Sequence, residues 1–507
     1  MNIQIKILPE PALQFGEGRV GVDPKRELSR AGEVPIQSIK LGLVSLPDDV
    51  PLIRNWFARM HKPLPSRERN GNRYRPFPGM ESVLRHRFEL PDRFVRTIDS
   101  GRHGEALNRS SPVDRFEGLL DLYVKAATSL FGDERPGCVL VALPEDLAEM
   151  RISNPRLSER ERRALERLRG KEDAQQMDLF DPGDAEEAAL ARELRPHADE
   201  LLFRNFYRAL KARCMAAPNP SPLQVLRRHT YLDELAQQSE GTRAWHLAIS
   251  LLYKSGHIPW QPDRLDERTC FAGISFHHLR RQSGDVVYAS LAQAYSSRYE
   301  PFALKGADIP RDQQINRQPY LKKAEARSLA ERLIAEYETQ TGSKPARVVL
   351  HKTSRFQTEE EDGFREALLS EVPACELVWI APTGFRLLRK GMIEPFRGTL
   401  CTAGDDAFLF TSGYVPWWHE YPGPHIPAPL QLGSARKTDI AERATEILTL
   451  TKMNWNSADG ISSLPITLSF AQKVGTVMTE MEGPNPNPLY RFCLLYTSDA
   501  ADDLTRV

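Results

Sequence analysis

The 507-residue sequence lacks most of the signatures that mark secreted proteins, membrane proteins and common hydrolases. Its six cysteines (Cys138, Cys214, Cys270, Cys375, Cys401 and Cys493) are scattered without a CxxC pair. That excludes a dense disulfide framework and a thiolate zinc site, and it fits a reducing compartment. No run approaches the ~18 apolar residues of a membrane span. The opening residues, MNIQIKILPE, have neither the long apolar core nor the cleavage site of a signal peptide. Net charge is missing too, since Lys+Arg and Asp+Glu number 68 each. This balance argues against a loose, non-specific nucleic-acid binder, which is often basic overall. It allows one basic channel on a balanced body, and it allows a second protein to complete a positive surface. There is no GxSxG elbow, no P-loop and no HExxH, so other hydrolase chemistries find little support. A soluble, cytoplasmic protein of two to four domains with ample core is expected.

What is present gathers between Phe203 and Lys254. Phe203, Phe206 and Leu210 recur at helical spacing, which predicts an amphipathic helix over 202–215. Arg204, Arg208 and Lys211 share one flank of it, and Tyr207 and Lys211, one turn apart, can reach a common point. The run Ala217-Pro218-Asn219-Pro220-Ser221-Pro222 breaks the helix, and Gln224 opens an apolar run. A phenol, an ammonium and an amide beside a loop all offer hydrogen-bond donors, as a terminal phosphate requires. Lys254 adds a second charge if the fold returns it to that point. Spacing alone equally describes a solvated basic helix face.

The remainder reads as alternating strands and helices. Residues 36–46 are a strand, followed by a turn in which an Asp caps a helix around 49–60 and Pro51 sits in its first turn. Residues 116–131 form a helix and 137–144 a buried strand, consistent with a parallel sheet. The GxGxxG at Gly16–Gly21 is flanked by prolines and reads as a glycine turn, not a dinucleotide fingerprint. Residues 158–199 are highly charged and broken by Asp181-Pro182-Gly183, which marks an exposed insertion. A second unit starts near Trp260. Strands at 270–278, 286–295 and 301–309 precede a helix over 322–341, a strand at 346–353, a helix near 359–369 and a strand at 375–382. Three sequential strands followed by alternating helices and strands is the order of an RNase H-type sheet.

The second half carries a more specific pattern. TSGY (411–414), YPG (421–423) and PAPL (427–430) precede LTKMNWNS (450–457) and LPITLSFAQKVG (464–475). This combination resembles the PIWI domain of an Argonaute. Beside it, Tyr207, Lys211, Gln224 and Lys254 resemble the guide 5′-phosphate pocket of a MID domain. FGEG (15–18) and the 36–46 strand resemble the entry to that module. The resemblance implies a Rossmann-like MID domain over 1–260 that includes the charged insertion, and an RNase H-like PIWI domain over 261–492. The chain is too short for all four Argonaute domains and shows no PAZ barrel, so it resembles the short prokaryotic Argonautes. Arg204, Arg208 and Arg228 are further candidates for contact with a nucleic-acid backbone. The resemblance also implies Mg2+ near the guide phosphate.

Cleavage by an RNase H-type sheet needs carboxylates that hold two metal ions. At the positions where the resemblance places those ligands, this chain has Ser275 (in GIS), Thr353 (in HKTS) and Gln472 (after Ala471). No Asp or Glu occurs from Cys270 to Gly284 or from Val348 to Thr358, so a small slip in alignment does not restore the site. His277, His278 and His351 read as structural, because adjacent strand residues point to opposite faces. The expectation is therefore a guide-binding protein that is not itself an enzyme. By resemblance, the guide is RNA and the target single-stranded DNA. The expected partner is an APAZ-domain effector (TIR or sirtuin-like NADase, or nuclease) in a heterodimer that assembles further on activation, with a role in antiviral defence and plasmid interference and no membrane contact. The alternatives are a nuclease using other acids, such as Asp285, Asp308 or Asp405, and a non-catalytic scaffold. Residues 493–507 resemble translated adapter sequence and read as non-native.

Overall fold

The computed structural model describes residues 3–29, 36–144, 147, 163, 205–266, 268–279, 286–296, 299–310, 312–315, 318–423, 425–434, 436, 438–478, 480 and 489–491. Arg204, Asp285, the tail 493–507 and the charged insertion, apart from Arg163, lie outside them. The chain enters through a short strand, Ile3–Ile7 (β1), and then makes the turn expected at the glycines. Glu17 and Gly18 take φ of 63° and 70° there, and only the two-residue strand Leu13–Gln14 leads into it.

The first sheet is parallel throughout. Gln37–Ser45 (β2) is flanked on one side by His86–Glu89 (β3) and Val95–Thr97 (β4), and on the other by Cys138–Leu143 (β5), which pairs with Leu223–Arg227 (β6). Every residue of β5 is buried, as a parallel strand covered on both faces requires. Helix α1 spans Asp49–Met60 with Pro51 in its first turn. The expected aspartate cap does not form: Asp48 has helical φ/ψ and makes no side-chain cap bond. Helix α2 covers Pro112–Thr128. Helix α3, Phe206–Met215, starts later than its apolar spacing suggests, because Asn205 is its N-cap and accepts the Arg208 N–H at 3.1 Å. Helix α4, Glu240–Lys254, is buried from Gly241 to Lys254, so it runs through the interior rather than over it.

The second sheet has the strand order expected from the sequence. Thr269–Leu279 (β7), Val286–Ser296 (β8) and Tyr299–Ile309 (β9) form an antiparallel meander. Helix α5 (Lys323–Thr341) leads to Arg347–Lys352 (β10), which lies parallel to β7, and helix α6 (Thr358–Glu371) leads to Ala374–Pro382 (β11), parallel to β10. Across the sheet these run third, second, first, fourth, fifth. Beyond β11 lie Leu430–Ser434 (β14), Asp406–Leu409 (β13) and Thr399–Ala403 (β12); Leu489–Arg491 (β15) joins the far side at β9. Alternation divides β7: Cys270, Ala272 and Ile274 face α5 and α6, while Phe271 faces the opposite core. That core includes helices α7 (Ile440–Leu450) and α8 (Ile466–Met478) and continues into the first sheet through Trp245, Leu247 and Leu251 of α4. Gly273 is required where α8 begins, since a Cβ there would lie 2.2 Å from the Thr467 carbonyl oxygen.

The expected division at residue 260 does not hold for the first strand. β1 pairs with β12 in antiparallel register, Ile3 opposite Ala403 and Ile7 opposite Thr399, so it completes the second sheet. Ile3, Ile5 and Ile7 remain more than half exposed there. Buried ion pairs fix the segment that follows. Glu10 accepts Arg397 Nε at 3.1 Å and Lys452 Nζ at 2.9 Å, and Lys25 Nζ reaches Asp459 at 2.5 Å. Burial opposes ionisation of Glu10, but Arg397 and Lys452 outweigh it and hold its carboxyl below the usual range. No described helix is long and apolar enough to cross a membrane.

Removing Glu10 leaves two fully buried cations without their shared carboxylate. Glu10→Gln is expected to destabilise the protein by ~3–5 kcal/mol in denaturant unfolding. Because the folded carboxyl pKa is depressed, this contribution is present above the ordinary carboxylate pKa and is lost as pH falls through the folded one.

Candidate nucleic-acid interface

Three elements of the first sheet bring the predicted phosphate residues together. One turn of α3 separates Tyr207 from Lys211, and Lys211 Nζ donates to the Tyr207 hydroxyl at 2.7 Å while lying 4.0 Å from the ring centre. Gln224 stands on β6, and its side-chain oxygen accepts from Lys254 Nζ at the end of α4 and from Ser250 Oγ at 3.1 Å. Lys211, Gln224 and Lys254 are only 1–2% exposed, and Tyr207 is half-buried. Lys211 and Lys254 are near enough to bear on one buried thiol: burial pushes Cys138 up to about 12, against the pull of both ammoniums.

The electrostatics are unusual for an interior. Burial first, then Lys254 and Lys473, push the Lys211 ammonium well below its ordinary pKa, with the Cys138 thiol acting weakly in the other direction. Elsewhere buried lysines have carboxylates: Lys25 has Asp459, Lys352 has Glu360 and Lys452 has Glu10. Here cations gather around hydroxyl and amide groups, an arrangement that favours a bound anion. Lys473, on α8, had a sequence signal that went unread, as the only charged residue in 465–478. Ser250 Oγ also lies 3.3 Å from Asn456 Oδ1.

The loop that carries Asn456 ties this cluster to the second sheet. Trp455 packs on Tyr253 with ring centres 4.5 Å apart, Ala458 N–H donates to His246 Nδ1 at 3.0 Å, and Trp260 Nε1 donates to the Lys452 carbonyl at 2.9 Å. Of the backbone candidates, Arg228 is paired with the buried Asp49 at 3.1 Å. Arg208 lies in the first turn of α3, and Arg204 is outside the described residues.

On the second sheet, β7 and β10 run parallel with Gly273 beside His351 and Ile274 beside Lys352. Ser275 and Thr353 are the next residues along, so they are neighbours. Gln472 is exposed and lies roughly 140° around α8 from Thr467, so it does not share Thr467's approach to β7. His351 Nδ1 bonds Thr467 Oγ1 at 2.9 Å, and burial, then Arg347, push its pKa down to about 3; the ring is neutral. His277 and His278 lie on β7, with side chains outside the description. Glu360, in the first turn of α6, accepts Lys352 Nζ at 2.6 and 2.7 Å, Leu321 N at 2.9 Å and Gln357 N at 2.8 Å. Its oxygens are committed to those donors.

The same arrangement of elements occurs in solved structures. Clostridium butyricum Argonaute, bound to a guide DNA and a 19-mer target DNA, matches with a TM-score of 0.62 at 14% identity, over 98% of this chain and 55% of that one. The fold is an Argonaute fold. Drosophila Piwi matches at 0.54 and A. aeolicus Argonaute at 0.50, each at 14% identity, over 94% of this chain and 54% of theirs. The chain therefore spans about half the length of the Argonautes it resembles. No protein-family model and no curated protein matches the sequence. At such low identity the Argonaute likeness supplies the fold, and residue roles rest on the geometry above.

Lys211 holds a depressed pKa in the folded protein, so the unfolded chain binds more protons between that value and 10.5. Stability of the strand-free protein is expected to rise with pH through this window. Lys211→Met is expected to raise its melting midpoint by roughly 2–4 °C, as read by thermal unfolding.

Proposed function

We propose that this chain holds the 5′ phosphate of a short guide strand in the Tyr207, Lys211, Gln224 and Lys254 cluster and presents the guide bases for pairing with a target that it does not cut. The observation that carries this reading is the gathering of buried ammonium groups around hydroxyl and amide groups. A phosphate monoester, with about two negative charges and three acceptor oxygens, satisfies both the charge and the donors. On this reading the first sheet belongs to a MID domain and the second to a PIWI domain of the RNase H type, without a PAZ domain. Pairing selects the target sequence, and the protein grips backbones.

The non-cleaving half of the proposal rests on the β7–β10 face. Ser275 and Thr353 stand where an RNase H-type sheet places acids, and Glu360 is committed to Lys352. Among the alternative acids, Asp405 sits at the β12–β13 turn. Three strands separate β13 from β7, about 19 Å at sheet spacing, too far to share a metal ion with that face. Asp308 lies on β9, with its side chain outside the description. The output then belongs to a second chain. An APAZ-domain effector, in a heterodimer that responds to RNA-guided recognition of single-stranded DNA in defence against invading nucleic acid, is the partner this reading favours. Overall charge neutrality supports it, since a partner can complete the positive channel.

The purified protein is expected to carry short 5′-phosphorylated nucleic acid. Joint Lys211→Ala and Lys254→Ala substitution should release most of it, at ~1.5–3 kcal/mol per charged contact. A paired target incubated with Mg2+ or Mn2+ should remain intact on a denaturing gel. Metal-dependent cleavage at a fixed guide position overturns the non-cleaving assignment, and equal affinity for 5′-phosphate and 5′-hydroxyl strands overturns the guide-binding one.

A further inference from the structure

We propose that β1 is a self-complementary edge on which a second copy of this chain docks, the two strands pairing antiparallel about a two-fold axis at Ile5. This stands apart from the guide-binding reading. Among the described residues β1 is the last strand of the second sheet, bonded to β12 on one side only. All five of its residues are exposed, with Ile3, Ile5 and Ile7 at 58%, 56% and 57%. Their side chains share one face with Ala403, Cys401 and Thr399 of β12, which stand opposite them. Gln4 and Lys6 project from the other face. A row of isoleucines along an open edge is both uncovered apolar surface and a template for another strand.

The backbone decides which register a second copy takes. The Leu8 N–H donates to the Gly398 carbonyl at 2.9 Å, in step with the β1–β12 register. In an antiparallel ladder the residues that bond a given neighbour alternate. Gln4 and Lys6 therefore turn their backbone groups to β12, and Ile3, Ile5 and Ile7 turn theirs to the open edge. A second β1 pairs only where outward-facing residues meet. With Ile5 opposite Ile5, Ile3 faces Ile7 at both ends, and every outward N–H and C=O of the strand meets its counterpart. Gln4 then stands opposite Lys6, where its amide oxygen can accept from the ammonium. The isoleucines of both copies form one apolar row on a single face. Sliding one strand by two residues leaves an isoleucine of each copy without an isoleucine opposite. In one direction it also sets Lys6 against Lys6, which is repulsive. The segment Ile3-Gln4-Ile5-Lys6-Ile7 reads nearly the same in both directions, as a strand paired with its own copy requires. The contact is small, so the dimer is reversible and depends on concentration.

The test is sedimentation velocity of the full purified chain across the micromolar range. The native protein should pass from monomer to dimer as concentration rises. Ile5→Lys places two ammoniums side by side at the axis and should weaken the dimer by roughly a hundredfold. Ile5→Pro removes an outward N–H that β12 does not use, so it should also weaken the dimer while the monomer unfolds thermally close to native. The register is read by cysteine cross-linking. Gln4→Cys mixed with Lys6→Cys should form an intermolecular disulfide under mild oxidation, above the level of the native protein, because directly opposed residues lie within disulfide reach. Either variant alone should not. A native chain that stays monomeric throughout overturns the proposal, and so does a dimer that both Ile5 variants leave intact. Gln4→Cys that cross-links to itself as readily as to Lys6→Cys overturns the register. A native monomer that pairs instead with a different polypeptide, and loses it in Ile5→Lys, gives the edge to another occupant and overturns self-pairing. The concentration series uses unaltered protein, so it decides the matter even if a variant folds poorly.

Discussion

An ammonium group withdrawn from water needs compensation close by, and this molecule provides it differently at different buried lysines. Lys25, Lys352 and Lys452 have carboxylates within 3 Å. Lys211 and Lys254 instead meet a phenol and an amide, with Lys473 adding to the repulsion. A fold retains such a cluster only if the rest of the structure over-determines it. Here the surrounding structure does so. Helix α4 is buried along its length, α3 is capped by Asn205 and held by Glu480, and the 451–462 loop is fixed by Lys452 and Asp459 at its two ends.

The second sheet shows the opposite solution. Beside β7 and β10 the described buried polar groups are paired with one another. His351 is neutral and hydrogen-bonded, and Glu360 is saturated by one ammonium and two backbone amides. Side chains that complete each other inside a core stabilise it.

Much of the fold could be read from the residues because period and burial agree. The 37–45 and 138–143 strands, the meander and the α5 and α6 helices fall within a few residues of their hydrophobic patterns. Tyr207 and Lys211 were readable because helical spacing alone makes them neighbours. Lys254 and Gln224 required the likeness to a known pocket, since nothing local joins residues 30 apart. Lys473 needed the tertiary fold, because its partners lie more than 200 positions earlier. The caps were misjudged where a longer-range contact prevailed: Asp49 is drawn to Arg228 rather than to its own helix. Pairing of β1 with β12 left no trace in either segment, since a short alternating strand does not name its neighbour.

That pairing bears on how the chain is made. A ribosome emits residues 3–7 almost four hundred residues ahead of 399–403, the strand that receives them. Through most of synthesis the isoleucines at 3, 5 and 7 have no sheet to join, and the register that places them is among the last to close.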